Sequence, residues 1–218
     1  MHTLTKLLSS AVGHLKPERA NADSPAVLPL PVPMRDGGMP LLQALAERKS
    51  GRSFSAEPLS AQVLSNLLWA AFGINRARTG GRTAPSALNG QEVDVYVSLA
   101  SGVYIYACEP HELQLVAAVD ARRVTGFQDF VDRAPLDLVY VADLSHVDAV
   151  PHEQRMLFAA ASAGAIAENV YLYAASFGLT TVVRAWFDRS ALAAALQLGG
   201  HEHVLLAQTV GYPAVEAS

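Results

Sequence analysis

A chain of 218 residues with 16 Lys and Arg against 20 Asp and Glu carries a formal net charge of −4, and no long stretch is dominated by basic residues, which argues against a nucleic-acid partner. Only 17% of residues are charged while 51% are apolar, against a usual charged share of about 25%. The excess apolar area points to a large buried surface, and a subunit interface would supply one.

Residues 1–39 read as an extended arm ahead of a single domain over 40–218. Leu7 to Leu15 is weakly apolar, but Ser9, Ser10 and His14 interrupt it. A signal peptide wants an unbroken apolar stretch of roughly 7–15 residues. The small-residue triplet Ala20-Asn21-Ala22 is therefore not read as a cleavage site. Pro25, Pro29, Pro31 and Pro33 exclude an interior helix and favour an extended course along a surface.

Leu41 to Arg48 is predicted helical, with Leu41, Leu42, Leu45 and Ala46 on its apolar face. Ser60 to Phe72 is a second helix, capped by Ser60 and ended by Gly73. Its stripe is Val63, Leu64, Leu67, Leu68 and Ala71. A loop over 75–90 leads into an alternating strand with Val93, Val95 and Val97. Gly102–Tyr106 and Glu112–Val119 form a hairpin, and Leu136–Ala142 a buried strand. Glu153–Phe177 is apolar on most sides, the mark of a helix buried in a core or a subunit interface. Its most apolar run, Met156 to Ala167, falls short of the roughly 20 residues a membrane span needs. Ser190–Leu198 is a last helix and Val204–Val210 a last strand. Helices and hairpins without regular strand–helix alternation give an α+β class.

Several chemistries lack their residues. There is no dinucleotide fingerprint, Walker loop, zincin helix or nucleophile elbow. One cysteine, Cys108, excludes an intrachain disulfide and an all-cysteine metal site, and fits a reducing cytoplasm, the expected location. Cys108 and His111, and His201 and His203, are spaced as ligand pairs, but two ligands do not close a site, so no metal is expected.

The informative stretch is Arg48-Lys49-Ser50-Gly51-Arg52-Ser53-Phe54. In an extended chain Arg48, Ser50 and Arg52 share one side, a guanidinium–hydroxyl–guanidinium row suited to a phosphate monoester. The bland alternative is a solvated basic helix end. This stretch resembles the Arg-Arg-Ser-x-Arg-x-Phe signature of the nitroreductase superfamily. Arg82 to Val97 ("RTAPSALNGQEVDVYV") resembles its Pro-Ser-x-x-Asn-x-Gln loop and strand. Gly164 to Val182 resembles its central helix and exit, and Thr209 to Pro213 its C-terminal strand. "LPLP" ahead of the signature, Leu67 to Arg76 and "GVYIYACEPHELQLV" are similar to the SagB-type branch, which includes azoline dehydrogenases acting on ribosomal peptides.

The resemblance implies a nitroreductase-like three-layer sandwich, an antiparallel or mixed sheet with a buried central helix, in an intertwined homodimer. It implies an oxidoreductase passing hydride through bound FMN in ping-pong fashion, with NADH or NADPH as electron donor and a small molecule or peptide as substrate. Arg48 and Ser50 would hold the phosphate and ribityl chain, Lys49 would belong to the same cofactor site, and Arg52 would lie at the flavin N1–O2 edge. Gln128 would contact the pyrimidine edge, and the amides of Ala185 and Trp186 the N5–O4 edge. Pro85, Ser86, Ala87 and Asn89 match a loop reaching the partner's flavin. No side chain is assigned a catalytic role, the chemistry being the flavin's. The sequence also departs from the pattern. Ala185 stands where many relatives have an acidic residue, and no cation follows Pro213. Arg184 or the Arg76–Arg82 loop would then supply that cation. These departures leave open a protein that binds flavin or a partner without turnover. The SagB-type match makes azoline dehydrogenation the other alternative, although Leu88-Asn89-Gly90 departs from that branch's form.

Overall fold

The computed structural model describes residues 2–20 and 23–214. In chain order the elements are α1 (Thr3–Ala11), β1 (Glu18–Arg19), β2 (Val27–Pro29), α2 (Leu41–Glu47), α3 (Ala61–Phe72), β3 (Ile74–Arg76), β4 (Gly81–Arg82), β5 (Val93–Leu99), β6 (Gly102–Ala107), β7 (Glu112–Ala117), β8 (Val119–Asp120), β9 (Leu136–Asp143), α4 (His152–Ser176), β10 (Thr180–Arg184), α5 (Arg189–Ala195) and β11 (Glu202–Gly211). Asn21 and Ala22 of the N-terminal triplet lie outside the described residues, as do residues 215–218.

Seven strands form one antiparallel sheet in the order β10-β11-β9-β5-β6-β7-β2. Both of its faces are covered. Val93, Val95, Val97, Leu136, Leu138 and Tyr140 point to a core shared with α3 and α4. Their neighbours Tyr96, Val139 and Val141 point to a second core with α5 and Leu15. Successive strand side chains alternate between faces, so two buried faces account for the apolar run Leu138–Ala142 of β9. Helices on both faces of the sheet make this the three-layer α+β arrangement that the resemblance implies.

Ser60 caps α3 by accepting from the Val63 amide at 3.2 Å. At 25 residues, α4 is about 37 Å long and crosses the sheet face. Ala159, Ala163, Ile166, Val170 and Ala174 are buried on the core, spaced three or four apart as one helix face requires. The opposite face is not covered within the protomer: Met156, Leu157, Ala160, Ala161 and Gly164 are exposed. The face assigned to α2 is also reversed. Ala44 is its buried residue, whereas Leu41, Leu42 and Leu45 are 63%, 80% and 48% exposed, and Ala46 is exposed as well. Periodicity located an apolar face there, but the protomer turns it outward.

The first 39 residues are more than an extended arm. Val27–Pro29 is extended as expected and pairs as an edge strand with β7. Residues 3–11 form a helix absent from the sequence reading, and its buried anchor is a cation. Lys6 is fully buried, donating to the carbonyls of Gly126 at 3.3 Å and Gln128 at 3.0 Å and pairing with Asp132. Removing one member of a buried pair costs roughly 3–5 kcal/mol. Asp132 retains some solvent contact, so Lys6→Met should cost about 2–3 kcal/mol. Urea unfolding checks this, and a midpoint equal to wild type would show that α1 is held by something else.

Candidate active site

After α2 the chain leaves the helix, and residues 48–53 run in extended form beside β10. The Gly51 amide donates to the Thr181 carbonyl at 3.0 Å. A Cβ on Gly51 would overlap Thr180 Oγ1, so glycine permits this close approach. The Ser55 amide donates to Tyr212 and the Ala214 amide to Ser53, with Phe54 bridged to Pro213. The basic segment is thereby stitched to β10 on one side and to the end of β11 on the other.

Tyr171 of α4 completes this attachment, and the sequence reading gave it no role. It is buried. Its hydroxyl lies 2.7 Å from Ser50 Oγ and accepts from the Val183 amide at 3.0 Å, and the Arg48 guanidinium sits 5.2 Å from its ring centroid. A buried tyrosine needs a partner for its hydroxyl. A Tyr on the core face of an Ala-rich helix was the available signal, without saying where the partners lay. Ser50, Lys49 and Arg52 are exposed and Arg48 is half-buried. Among the described residues no carboxylate forms an ion pair with Arg48, Lys49 or Arg52.

Alternate residues of β10 direct their backbone groups to its outer edge. Thr181 and Val183 have theirs occupied by Gly51 and Tyr171, so Ala185 is the next position on that side. Ala185 and Trp186 are exposed, and the Trp186 ring packs edge-on to Phe127 at 5.3 Å. Ala185 also lines a cavity of about 650 Å³ with Met156, Ala160, Arg189 and Leu206.

Arg184 faces inward instead. It is buried, paired with Asp137, and donates to Thr209 Oγ1 at 2.6 Å and the Thr125 carbonyl at 3.0 Å. Burial lowers its pKa and raises that of Asp137, each shift opposed by the attraction between them. The expectation that Arg184 replaces a C-terminal cation is therefore corrected: its guanidinium is committed to the core. Arg82 is likewise engaged, stacked over Phe72 and donating to Gln91 at 2.9 Å, while Arg76 donates to the Arg82 carbonyl at 3.1 Å. Gln128 is partly buried, and its Oε1 has no hydrogen-bond partner among the described residues. That oxygen and Arg184 Nη1 crowd the same point above Gly126, so Gln128 turns toward the Arg184 network.

The Pro85–Asn89 loop lies elsewhere. Ala87–Asn89 forms a 3-10 turn in which Leu88 and Asn89 have φ of 52° and 55°, and Ser86 Oγ accepts from the Gln91 amide at 3.0 Å. The loop faces Phe158 and Ser162 across a cavity of about 380 Å³. Ser162 and Tyr171 are nine positions apart on α4, about 14 Å along its axis. The chain thus groups Arg48, Ser50 and Tyr171 with the β10 edge and keeps Pro85, Ser86, Ala87 and Asn89 apart from them.

The paired His and Cys spacing has a structural use. His111 contacts Ser65 and Tyr106 through its two ring nitrogens, each at 2.8 Å, so it does not join Cys108 as a ligand. Burial pushes the Cys108 thiol up to about 11, leaving it protonated and unreactive at pH 8. Ellman's reagent should titrate no thiol in the native protein at pH 8 and one after denaturation; rapid native labelling would contradict this burial. Among the described residues no helix is long and apolar enough to cross a membrane.

The comparisons with known proteins agree with this architecture. The profile described as "Nitroreductase family" matches residues 45–212. Among the matches described as putative nitroreductases are two relatives. One, from Methanocaldococcus jannaschii, is 31% identical over 68% of this chain and 80% of its own length. The other, a crystal structure from Ralstonia eutropha JMP134, is 48% identical with a TM-score of 0.89, covering 93% of this chain and 96% of that one. The Escherichia coli microcin synthetase McbBCD complex with truncated pro-MccB17 bound shares the fold at 21% identity and a TM-score of 0.70, over 78% of this chain and 70% of that one. By the extent of the profile match and the identity to these relatives, this chain belongs to the nitroreductase family.

Proposed function

We propose that the protein is a homodimeric FMN-dependent oxidoreductase. Family membership supports the oxidoreductase class, and family members typically bind FMN. The observation that carries the reading is the basic segment fixed to β10. Arg48, Lys49 and Arg52 have no carboxylate partner among the described residues, and Ser50, an exposed residue whose hydroxyl is bonded to that of Tyr171, stands between them. Such a donor set fits a phosphate monoester, which only accepts hydrogen bonds.

Bound there, FMN would supply hydride transfer, with NADH or NADPH as donor. The chain's own residues position and polarise it. Arg48, Lys49 and Ser50 would hold the phosphate and ribityl chain, and Arg52 would face the N1–O2 edge. The amides of Ala185 and Trp186 would serve the N5–O4 edge, and Gln128 the pyrimidine edge after turning away from Arg184. Pro85, Ser86, Ala87 and Asn89 would act on the partner's flavin, in keeping with their separation from Tyr171 along α4. The substrate is a small molecule or a peptide, and the expected location is the cytoplasm.

The test is mass analysis of the cofactor released from purified protein, followed by anaerobic mixing with NADH and NADPH. FMN that bleaches with either donor supports the proposal; FAD, or a protein unable to bind flavin, overturns it. A second reading, motivated by Ala185 in place of an acidic residue, is a flavin-binding protein without turnover. Bound FMN inert to both donors and to azoline peptides would favour it. A SagB-type azoline dehydrogenase would instead have its FMN reduced by an azoline-bearing peptide.

A further inference from the structure

We infer that Tyr171 is a positioning residue that orients the Ser50 hydroxyl as a donor toward a bound phosphate, an inference that rests on the basic segment being the FMN phosphate site. Hydrogen-bond direction carries the argument. The Val183 amide, 3.0 Å from the Tyr171 hydroxyl, can only donate. The phenol oxygen therefore accepts there, and its single proton must go elsewhere. Ser50 Oγ, at 2.7 Å, is the other polar atom bonded to this hydroxyl among the described residues, so it receives that proton. Having accepted from Tyr171, Ser50 directs its own proton outward, and its residue is exposed.

The result is a relay from Val183 N–H through Tyr171 O–H to Ser50 O–H, each donor polarising the next. It ends between Arg48 and Arg52 on the surface of the segment. The opposite polarity fails twice: it would strand the buried phenol proton without an acceptor, and it would aim a Ser50 lone pair at an oxyanion. Arg48, seated over the Tyr171 ring at 5.2 Å, is held by the same side chain. One residue of α4 thus fixes both the cation and the hydroxyl, and its attachment to Val183 sets them in register with Ala185 two residues further along.

A double-mutant cycle tests the relay. FMN dissociation constants are measured by flavin fluorescence for wild type, Ser50→Ala, Tyr171→Phe and the double variant, with riboflavin as a probe lacking the phosphate. Each single change should weaken FMN binding about tenfold, the usual scale for one hydrogen bond to a charged group. In the Ser50→Ala background Tyr171→Phe should change the affinity by less than about twofold, because the relay has already lost its last member. Riboflavin affinity should be the same in wild type and Tyr171→Phe. Multiplicative effects of the two changes, an unchanged FMN affinity for Tyr171→Phe, or an equal loss of riboflavin affinity would each overturn the relay. A merely structural role for Tyr171 would lower the melting midpoint alike in both backgrounds and leave no coupling in FMN affinity. If wild type binds no FMN, the phosphate-site reading itself falls, an outcome distinct from wild-type binding with an additive cycle.

Discussion

Replacing Arg52 with alanine should slow flavin reduction far more than it weakens flavin binding. In the proposed arrangement Arg52 faces the edge where negative charge accumulates as the flavin takes up hydride, so it stabilises the product side of the step more than the resting state. Removing one such preorganised group costs about 2–4 kcal/mol, or roughly 30- to 1,000-fold in rate. Arg52 is exposed in the protomer, and its field reaches this strength only where ligand and partner exclude water. The same change should make the two-electron midpoint potential more negative, by about 30 mV per 1.4 kcal/mol. Arg48→Ala should behave differently. Arg48 packs on Tyr171 at the other end of the signature, so its loss should raise the FMN dissociation constant roughly 10- to 100-fold, the scale of a hydrogen bond to a charged group, and leave the potential nearly unmoved. Stopped-flow reduction at saturating FMN, with a potential titration, separates the two. Identical behaviour of both variants would defeat the assignment of roles.

Strands were legible where the core imposes alternation, as at Val93–Leu99, or where both faces are buried, as in β9. The Ser60 cap and Gly73 at the end of α3 were legible because their chemistry is local. The basic segment was legible as a motif, though its docking was not. Nothing in the sequence connects Gly51 to Thr181, or Ser50 to a tyrosine 121 residues later. The helix α1 was missed although Leu4, Leu7 and Leu8 have helical spacing, because residues 1–39 were read as one extended arm; nor could that spacing show that Lys6 is the buried residue while Leu4 and Leu8 are exposed. Arg184 was misplaced for a related reason. Strand alternation sends it inward beside Ala185, and a basic residue near a phosphate motif looks available until its Asp137 partner is seen. Sequence patterns find apolar faces and charged clusters; what covers the face or neutralises the charge is a long-range property.

The same limit applies to α4, and it leads to the second large effect. Its outward face presents Met156 and Leu157, 40% and 66% exposed, followed by Ala160, Ala161 and Gly164. Leu41, Leu42 and Leu45 of α2 are uncovered too. This much outward apolar area is unusual for a protein that works as a monomer, and a partner subunit would cover it. The proposed site calls for the same partner, because Pro85–Asn89 faces Ser162, about 14 Å along α4 from Tyr171, and would in that proposal reach the partner's flavin. Gly164 offers a clean way to break that interface. A Cβ there would meet nothing within 4 Å in the protomer, and replacing a helical glycine gains helix propensity, so Gly164→Arg should not strain the subunit fold. At an obligate interface burying on the order of 2,000–5,000 Å², however, it places an unpaired cation between two closely packed helices. The variant should run as a monomer in light scattering, keep the far-UV circular dichroism of the wild type, and lose FMN on gel filtration. In the wild type, subunit dissociation and flavin release should coincide in mild denaturant. A Gly164→Arg monomer that retains one FMN would show that each protomer carries a complete site, and the assignment of Pro85, Ser86, Ala87 and Asn89 to the partner's flavin would then be wrong.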